Sequence, residues 1–332
     1  MLLARRGITV PSFRARIFTA PFAAPSNHHP RLLTMSSTAA PFTRLVRFHP
    51  SSDPSAIKIG TPVDPNIDIG LDTFPFSSST PPLVDVYSGT SILSPGTSTG
   101  ERLQLGTILS PLCPSEVGTI RCIGLNYTEH AHEANLPIPT VPTLFMKPST
   151  SLAGPYPQPT VIPKSFVADD AADYEAELAV VIGKPCKDVD EQHAMDYVLG
   201  ITAANDVSSR KAQFAQSQWS YSKGFDSACP IGPTIVHIST IPNLRDVQIE
   251  AKLNDQVVQN SSLNDLIFSI PKIISFLSQG TTLTPGTIIL TGTPAGIGWT
   301  ANPRRTLQHG DTFSVTISHG VGTLINQIQY ES

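Results

Sequence analysis

Cysteine, aromatic residues and long apolar runs are all scarce in this chain of 332 residues. The four cysteines lie far apart and form no Cys-x-x-Cys pair, which argues against a cysteine-based zinc site and for reduced, mostly buried thiols of an intracellular protein. Aromatic residues make up 7% of the chain and the net charge is −4, so nothing suggests a nucleic-acid-binding surface. No apolar run reaches the length that spans a membrane. The cysteines are Cys113, Cys122, Cys186 and Cys229.

Acidic residues are absent from the first 52 positions, and Asp53 is the first of them. An acid-free, Arg-rich and hydroxyl-containing N-terminus is typical of a mitochondrial transit peptide, with a disordered basic tail as the alternative. We therefore assign residues 1–40 to a leader and expect a protein of the mitochondrial matrix. Met35 offers a second start, from which a shorter cytosolic form could arise. The arginines of this stretch are Arg5, Arg6, Arg14, Arg16 and Arg31.

Composition divides the rest of the chain into two parts. Residues 41–104 are rich in Pro, Ser, Thr, Gly and Asp and have few apolar runs, which predicts a small, irregular N-terminal module. Residues 105–332 carry many short strand patterns and few helical ones, and their length is ample for a core. We expect this part to be an α+β, strand-rich catalytic domain whose strands wrap into a sandwich or a rolled, barrel-like fold.

Two local patterns in the second part are specific enough to place. Asn254-Asp255, between two segments of alternating apolar and polar residues, is the signature of a two-residue β-hairpin. An amphipathic helix is predicted from Ser269, its N-cap, to Gln279, with Gly280 as the stop.

Two acids, two positions apart, introduce an apolar run. Glu175 and Glu177 lie on the predicted buried strand 175–183, and residues at i and i+2 of a strand point to the same face. Asp206 follows a second apolar strand, 198–204, and can reach the same point. Because buried carboxylates repel one another, three that converge suit a hard divalent cation such as Mg²⁺ or Mn²⁺. The alternative is an edge strand with ordinary surface acids.

The stretch between these two strands predicts a helix. Asp188-Val189-Asp190-Glu191 matches a capping box, and the helical composition continues to about Val198. A strand–helix–strand crossover would then carry the two acidic strands side by side.

A histidine and a glutamate are spaced for one side of a helix. Residues 128–134 have a helix-forming composition, and His130 and Glu133, three positions apart, face the same way. A carboxylate beside an imidazole orients the ring as a general base requires. A surface His–Glu pair is the alternative. A zinc site that includes His132 is weaker still, because His130 and His132 diverge on a helix.

Two lysines are candidate cations for an anionic substrate. Lys147 ends the strand pattern 143–147, and Lys223 precedes a glycine in a segment with few other charges. Either lysine could equally be an ordinary solvated residue. The glycine-rich run 291–298 lacks the lysine of a phosphate-binding loop and the spacing of a dinucleotide fingerprint, so it predicts a tight turn where backbone approaches a ligand.

Six motifs follow one another in a fixed order along the chain. They are Gly124-Leu125-Asn126-Tyr127 with His130 and Glu133, Phe145-Met146-Lys147-Pro148-Ser149, Glu175-x-Glu177 with its apolar run to Gly183, Asn205-Asp206-Val207-Ser208, Lys223-Gly224-Phe225-Asp226, and Leu290 to Gly298. This set resembles the fumarylacetoacetate hydrolase family, and is most similar to its small mitochondrial, domain-containing members over roughly residues 105–330. The resemblance implies a β-rich rolled fold, a homodimer and an Mg²⁺ or Mn²⁺ site.

The resemblance also implies roles for individual residues. The residues so assigned are, as metal ligands, Glu175, Glu177 and Asp206; as catalytic residues, His130, Glu133 and Lys223; and, as substrate contacts, Lys147 and Thr293. The dyad of His130 and Glu133 would lie on a lid that orders over the substrate. Ser208-Ser209-Arg210 departs from some family decarboxylases, which carry a glutamine there, and this weakens a decarboxylase assignment.

These roles predict chemistry on a small 2-oxo acid, such as a 2-oxo dicarboxylate. A cation that binds its carboxylate and ketone oxygens acts as a Lewis acid and lowers the pKa of the C3 protons. The mitochondrial leader and the resemblance favour keto–enol tautomerisation of oxaloacetate. Hydrolysis of an acylpyruvate or a fumarylacetoacetate-type diketo acid, and decarboxylation of oxaloacetate, share the same intermediate and are the alternatives. A catalytically silent metal-binding assembly factor is a different class, against which the intact dyad and Lys223 argue.

Overall fold

The computed structural model describes residues 42–74 and 80–332 and shows a strand-rich protein with few and short helices. The predicted leader, residues 1–40, lies outside the described residues. The strands are β1 Arg44–Pro50, β2 Lys58–Pro62, β3 Leu83–Tyr87, β4 Ser98–Ile108, β5 Ile120–Gly124, β6 Thr143–Lys147, β7 Leu152–Ala153, β8 Thr160–Ile162, β9 Ala172–Asp173, β10 Ala176–Ile182, β11 Val198–Asn205, β12 Ser208–Ser209, β13 Cys229–His237, β14 Gln248–Leu253, β15 Gln256–Ser262, β16 Ile288–Leu290, β17 Thr312–Ile317 and β18 Gly322–Tyr330. The helices are α1 Ile69–Thr73, α2 Thr128–Glu133, α3 Lys164–Val167, α4 Arg210–Ala215, α5 Ser220–Lys223 and α6 Ile270–Ser278. No helix among the described residues is both long and apolar enough to cross a membrane.

Two large sheets roll into a barrel-like arrangement, which confirms the predicted fold class. The larger sheet runs in the order β2-β3-β4-β1-β13-β11-β10-β16-β5-β6, and β7 pairs with β13 at its side. The smaller sheet runs β15-β14-β17-β18-β8, and β9 and β12 form a separate short pair. Most neighbours are antiparallel, whereas three pairs are parallel: β16 with β5, β18 with β8 and β13 with β7.

The central strand β10 is buried along its whole length. Leu178 and Val180 pack into one hydrophobic cluster with residues of the smaller sheet, while Ala179 and Val181 pack into a second cluster on the opposite face. Since alternate residues of a strand face opposite sides, the uninterrupted apolar run after Glu177 supplies two cores at once.

The crossover helix predicted between the two acidic strands is wrong. β10 and β11 pair antiparallel, and the connection contains turns and a single 3₁₀ turn at Ala194–Tyr197. Asp188 has a positive φ of 53°, and its carboxylate accepts a hydrogen bond from Gly280 N at 2.6 Å. Asp188 therefore ties this connection to the end of α6 instead of capping a helix of its own.

The N-terminal residues join the same sheet as the acidic strands. β1 lies between β4 and β13, with Leu45 opposite Ile235. A boundary between residues 104 and 105 would fall inside β4, and the described residues form one compact unit. The strands before residue 104 thus complete the sheet that carries the site.

The two local predictions on the smaller sheet and α6 are confirmed. Asn254 and Asp255, with φ of 50° and 65°, form the tight turn between β14 and β15. The Ser269 hydroxyl accepts a hydrogen bond from Lys272 N at the start of α6, and Gly280 takes the left-handed conformation just after its end.

Candidate active site

Three buried carboxylates converge at the end of the β10–β11 pair. Glu177 lies on β10, Glu175 directly precedes it, and Asp206 directly follows β11. Ala176 stands opposite Asn205 in the antiparallel register, Asp206 N donates to Glu175 O at 2.8 Å, and Glu175 N donates to the Asn205 side chain at 3.0 Å. One carboxylate oxygen of each acid lies within 4.8 Å of one from each of the others. The structure thus brings together the three acids that the sequence singled out.

Glu177 lacks a cationic partner in this cluster. Its carboxylate accepts a hydrogen bond from Gly292 N at 2.5 Å, and no lysine or arginine among the described residues forms an ion pair with it. Burial and the nearby carboxylates of Asp206 and Glu175 raise the pKa of Glu177 well above its usual value. Glu177 is therefore the acid of the triad whose negative charge no cationic side chain among the described residues balances.

Glu175 and Asp206 instead face a buried lysine at the end of α5. The Lys223 ammonium donates to Glu175 at 2.7 Å and to Asp206 at 2.8 Å. Burial alone would raise the pKa of Glu175, but the charges of Lys223 and Arg210 outweigh it and hold that pKa well below its usual value. Burial lowers the pKa of Lys223, but the charges of Asp206 and Glu175 raise it by more. The net pKa is raised, so this lysine is a fixed cation.

The donor set fits a hard divalent cation. All three donors are carboxylates, which Mg²⁺ and Mn²⁺ prefer, and Glu177 is the donor whose charge the protein leaves unbalanced. Glu175, Glu177 and Asp206 would hold the ion. Four buried acids, these three and Asp173, lie among three buried cations, and a bound cation would provide the partner that Glu177 lacks.

The predicted histidine–glutamate pair forms on α2. His130 Nδ1 lies 3.0 Å from Glu133 Oε2, and Glu133 Oε1 accepts from Gly296 N at 3.0 Å. Burial raises the pKa of Glu133, but hydrogen bonds from His130, Thr300 and Gly296 lower it more, so the net pKa is lowered and the carboxylate is ionised at neutral pH. An ionised Glu133 can accept a hydrogen bond from Nδ1–H, and Nε2 is then the ring nitrogen available to the cavity that His130 lines.

The alternative zinc cluster does not assemble. The His132 side chain is 62% exposed and lies 3.9 Å from Glu129, whereas the His130 side chain is 11% exposed. The only group of metal-binding side chains that the described part of the chain assembles is the acid triad.

Lys147, expected to contact substrate, lies beneath the site. Its side chain is fully buried, and its ammonium lies 2.7 Å from Asp206 Oδ1 and donates to the carbonyl oxygens of Val207, Ala228 and Lys223. Lys147 is not among the residues that line the cavity. The structure therefore places it behind a carboxylate of the triad rather than in front of it.

Thr293, the other expected substrate contact, does line the cavity, but its hydroxyl is already engaged. The hydroxyl donates to Ala176 O at 2.9 Å and accepts from Gln259 Nε2 at 2.8 Å. Gln259 also accepts from Ala176 N at 2.9 Å. Thr293 and Gln259 together fasten the turn after β16 to β10. Because the Thr293 hydroxyl proton is already used, Thr293 could donate to a ligand only through its backbone N–H.

Sequence reasoning missed two polar residues of the cavity, Arg210 and Gln213 on α4. Arg210 is buried and donates to Asp173 at 2.8 Å, lies 2.6 Å from Glu175, and donates to Gln213 Oε1 at 2.9 Å. Its second terminal nitrogen, Nη2, has no hydrogen-bond partner among the described residues and can donate to a ligand. The available signal was an arginine four positions after Asp206 with a glutamine one helical turn later.

Asp173 was also missed, and it organises the wall of the cavity. Besides the Arg210 guanidinium, its carboxylate accepts from Gly298 N at 2.9 Å and Trp299 N at 3.0 Å. Asp173 therefore joins α4 to the end of the turn after β16. Its position two residues before Glu175 was the signal available in the sequence.

A cavity of about 440 Å³ is lined by Glu175 and Glu177, with Asp206 buried behind them. Its floor is polar and buried, whereas its walls are apolar and aromatic. Trp219 packs edge-on against Phe145 with ring centroids 5.6 Å apart, and Phe214, 66% exposed, lies 5.6 Å from the Trp299 ring. The apolar wall residues are Leu125, Leu136, Phe145, Phe214, Trp219, Ile297 and Trp299.

Comparison with known proteins places these features in a family. Residues 119–329 match the family model described as fumarylacetoacetate (FAA) hydrolase C-terminal. Caffeoylpyruvate hydrolase of Neonothopanus nambi is 42% identical over 303 residues, which are 90% of this chain and 96% of that protein. The mitochondrial oxaloacetate tautomerase FAHD2A of Homo sapiens is 37% identical over 224 residues, which are 67% of this chain and 69% of that protein.

A solved structure shows the same fold. The crystal structure of 2-hydroxyhepta-2,4-diene-1,7-dioate isomerase from Mycobacterium marinum superimposes with a TM-score of 0.70 at 30% identity, over 88% of this chain and 100% of that one. The family match covers more than half of the chain, and it confirms the resemblance drawn from the six motifs. The chain belongs to the fumarylacetoacetate hydrolase family.

Proposed function

We propose that this protein is a divalent-metal-dependent hydrolase that cleaves the C–C bond of acylpyruvates whose acyl group is apolar or aromatic. The main support for this function is that one cavity has two unlike parts, a floor of buried acids and cations and a wall of aromatic rings. A 2,4-dioxo acid has the same division, with a charged pyruvate end and an apolar acyl end. The relative that matches over 90% of this chain is named a caffeoylpyruvate hydrolase, which supports the same substrate class.

The floor provides groups for the pyruvate end. The free Nη2 of Arg210 can donate to the substrate carboxylate. Gln213, which also lines the cavity, accepts from the same guanidinium and can orient it. The Lys223 ammonium adds positive charge where an enolate oxygen develops. A divalent cation bound by the triad would polarise the 2-oxo group and acidify the C3 position.

We assign the activation of water to His130. Its Nε2 takes a proton from water, while Glu133 holds Nδ1–H and stabilises the imidazolium that forms. The water oxygen adds to the C4 carbonyl, and the C3–C4 bond then breaks with its electron pair passing to C3. The imidazolium returns its proton to C3, so the products are one carboxylic acid and pyruvate.

Oxaloacetate tautomerisation, the reaction favoured by the sequence, is the second candidate. The same His130–Glu133 pair could move a proton at C3, and several relatives are named oxaloacetate tautomerases. However, oxaloacetate has a second carboxylate, which would need a cation of its own in the cavity. The lysine and arginine that line the described cavity, Lys223 and Arg210, already face the acids of the floor. The aromatic wall therefore favours hydrolysis.

The ion, the assembly and the location complete the proposal. Mg²⁺ or Mn²⁺ is the proposed ion because the donors are carboxylates. We propose a homodimer, as the family resemblance implies. A mitochondrial location is supported by the acid-free, Arg-rich N-terminus and by the names of the oxaloacetate tautomerase relatives.

A three-substrate assay tests the reaction. Benzoylpyruvate, acetylpyruvate and enol-oxaloacetate are each followed by absorbance, and pyruvate is measured in the same samples. We expect pyruvate in step with loss of benzoylpyruvate, and a fall of about 100-fold or more in His130→Ala. Loss of enol-oxaloacetate without pyruvate, together with intact acylpyruvates, would replace hydrolysis by tautomerisation. Pyruvate formed from oxaloacetate would indicate a decarboxylase.

A further inference from the structure

We propose that Lys147 is a positioning residue, which fixes the metal-binding carboxylate of Asp206 and the end of helix α5 that carries Lys223. This inference rests on the proposed divalent-cation site, but it does not depend on which reaction the site performs. It assigns Lys147 a role different from the substrate contact that the family resemblance implied.

Lys147 gathers three separate segments around one ammonium group. It stands at the end of β6, and its Nζ lies 2.7 Å from Asp206 Oδ1. It also donates to Val207 O at 3.3 Å and Ala228 O at 2.8 Å, and to the carbonyl oxygen of Lys223. The strand that leads into the carboxylate, the helix that ends in the second lysine and the segment before β13 all meet at this nitrogen.

The geometry leaves Lys147 no proton for a substrate. An ammonium has three N–H donors, and four oxygen atoms already surround this one. The side chain is fully buried. To contact a substrate, Lys147 would have to break its hydrogen bonds to the carbonyl oxygens of Val207, Lys223 or Ala228.

Two lysines hold opposite oxygens of Asp206. Lys223 donates to Oδ2, whereas Lys147 forms an ion pair with Oδ1 at 2.7 Å without hydrogen-bond geometry, so a positive charge holds this carboxylate from each side. Without the Lys147 ammonium, Oδ1 would be a buried charged oxygen with no other partner, and three carbonyl groups would lose a donor. Such a carboxylate turns towards any remaining donor, because a buried unpaired charge is costly. The ligand geometry would then be lost although Asp206 itself remains.

The expected consequence is a loss of metal affinity. Groups that orient a metal ligand typically contribute about 10- to 100-fold to affinity. We expect Lys147→Met, which keeps an unbranched side chain one atom shorter and removes its charge, to weaken Mn²⁺ binding by about this factor in the absence of substrate. The measurement is free Mn²⁺ by electron paramagnetic resonance during a titration of the full-length protein.

A matched control separates positioning from general damage to the core. Val181→Ala removes two methyl groups from a fully buried residue of β10, the strand that carries Glu177, but on the face away from the smaller sheet. We expect this variant to lose stability and to keep the Mn²⁺ affinity of the wild type. Should Lys147→Met fail to fold, Lys147→Gln, which retains an N–H donor, is measured in its place.

Oxalate, a planar mimic of the pyruvate enolate, separates positioning from substrate contact. With Mn²⁺ at saturation, a positioning role predicts that oxalate binds Lys147→Met about as tightly as the wild type. Unchanged Mn²⁺ affinity in the variant overturns the inference, and so does oxalate binding that stays weak at saturating Mn²⁺. If the wild type itself fails to bind Mn²⁺, the inference falls with the metal site. Normal Mn²⁺ results in a protein that cleaves no acylpyruvate would leave the inference standing and reject only the proposed reaction.

Discussion

At the scale of single residues, the proposed chemistry depends on three buried carboxylates, the His130–Glu133 pair and Lys223. Glu175, Glu177 and Asp206 could be predicted because the period of a strand and two apolar runs determine where the three carboxylates point. The burial of Lys147 could not be predicted, because it depends on an aspartate that another strand brings 59 positions later in the chain. The free nitrogen of Arg210 likewise appears only when Asp173 and Glu175 occupy the rest of its guanidinium.

Glu133 provides a prediction at this scale. Glu133→Gln keeps a hydrogen-bonding side chain but loses the charge that stabilises the imidazolium, so we expect kcat to fall about 100-fold with little change in KM. Glu129→Gln, on the same helix and 71% exposed, should retain full activity. Steady-state rates with an acylpyruvate, together with Mn²⁺ titrations, provide the check. Normal turnover by Glu133→Gln would remove the dyad from the mechanism.

Elements were predicted well where the pattern is local. The β14–β15 hairpin and α6 follow from turn and cap residues that act within a few positions. The predicted crossover helix failed because Asp188 adopts a left-handed conformation and binds the end of α6, a partner far away in sequence. A capping box is only a local preference, and the antiparallel pairing of β10 with β11 overrides it.

Helix α4 should set substrate preference. It carries Arg210 and Gln213 towards the floor and Phe214 at the mouth, where the ring packs beside Trp299. We expect Phe214→Ala to lower the ratio of kcat/KM for benzoylpyruvate over acetylpyruvate about 5- to 10-fold, the worth of one aromatic contact. Phe276→Ala, on α6 and also partly exposed, should leave the ratio unchanged. An unaltered ratio in the first variant would show that the acyl group lies elsewhere.

Glu116 links two loops of the larger sheet and makes stability depend on pH. Burial raises the pKa of Glu116, but hydrogen bonds from Cys113 N, at 2.8 Å, and from the Ser91 hydroxyl lower it more. Because the pKa is lowered in the folded protein, the ionised carboxylate stabilises the fold above its usual pKa. That stabilisation is lost as the pH falls through the lowered value.

Glu116→Gln should therefore destabilise the protein by about 1 kcal/mol at neutral pH, a value reduced for partial exposure to solvent. The difference from the wild type should shrink as the pH falls from the usual glutamate pKa of about 4.3 through the lowered pKa of the folded protein, below which both proteins carry a neutral side chain. Urea denaturation at several pH values measures it, with Glu101→Gln on the exposed part of β4 as the control. A difference that persists unchanged in acid would assign the effect to packing rather than charge.

At the scale of the whole molecule, the fold class followed from composition and strand patterns, but the way the parts join did not. The irregular composition of residues 41–104 suggested a separate module, whereas β1 pairs with β13 and places this part in the main sheet. Pairing between strands some 190 positions apart is set by shape and burial of the whole sheet, which no local pattern encodes. The site therefore depends on a sheet that spans nearly the whole described chain.

The proposed cleavage depends on a divalent cation held by the triad. Release of pyruvate from benzoylpyruvate by chelated protein, before and after addition of Mg²⁺ or Mn²⁺, tests it most directly, with Glu177→Gln in parallel. We predict background release after chelation, recovery when the ion is restored, and no recovery in Glu177→Gln. Wild-type rates from the chelated protein, or from Glu177→Gln, would show that cleavage does not depend on a cation held by the triad.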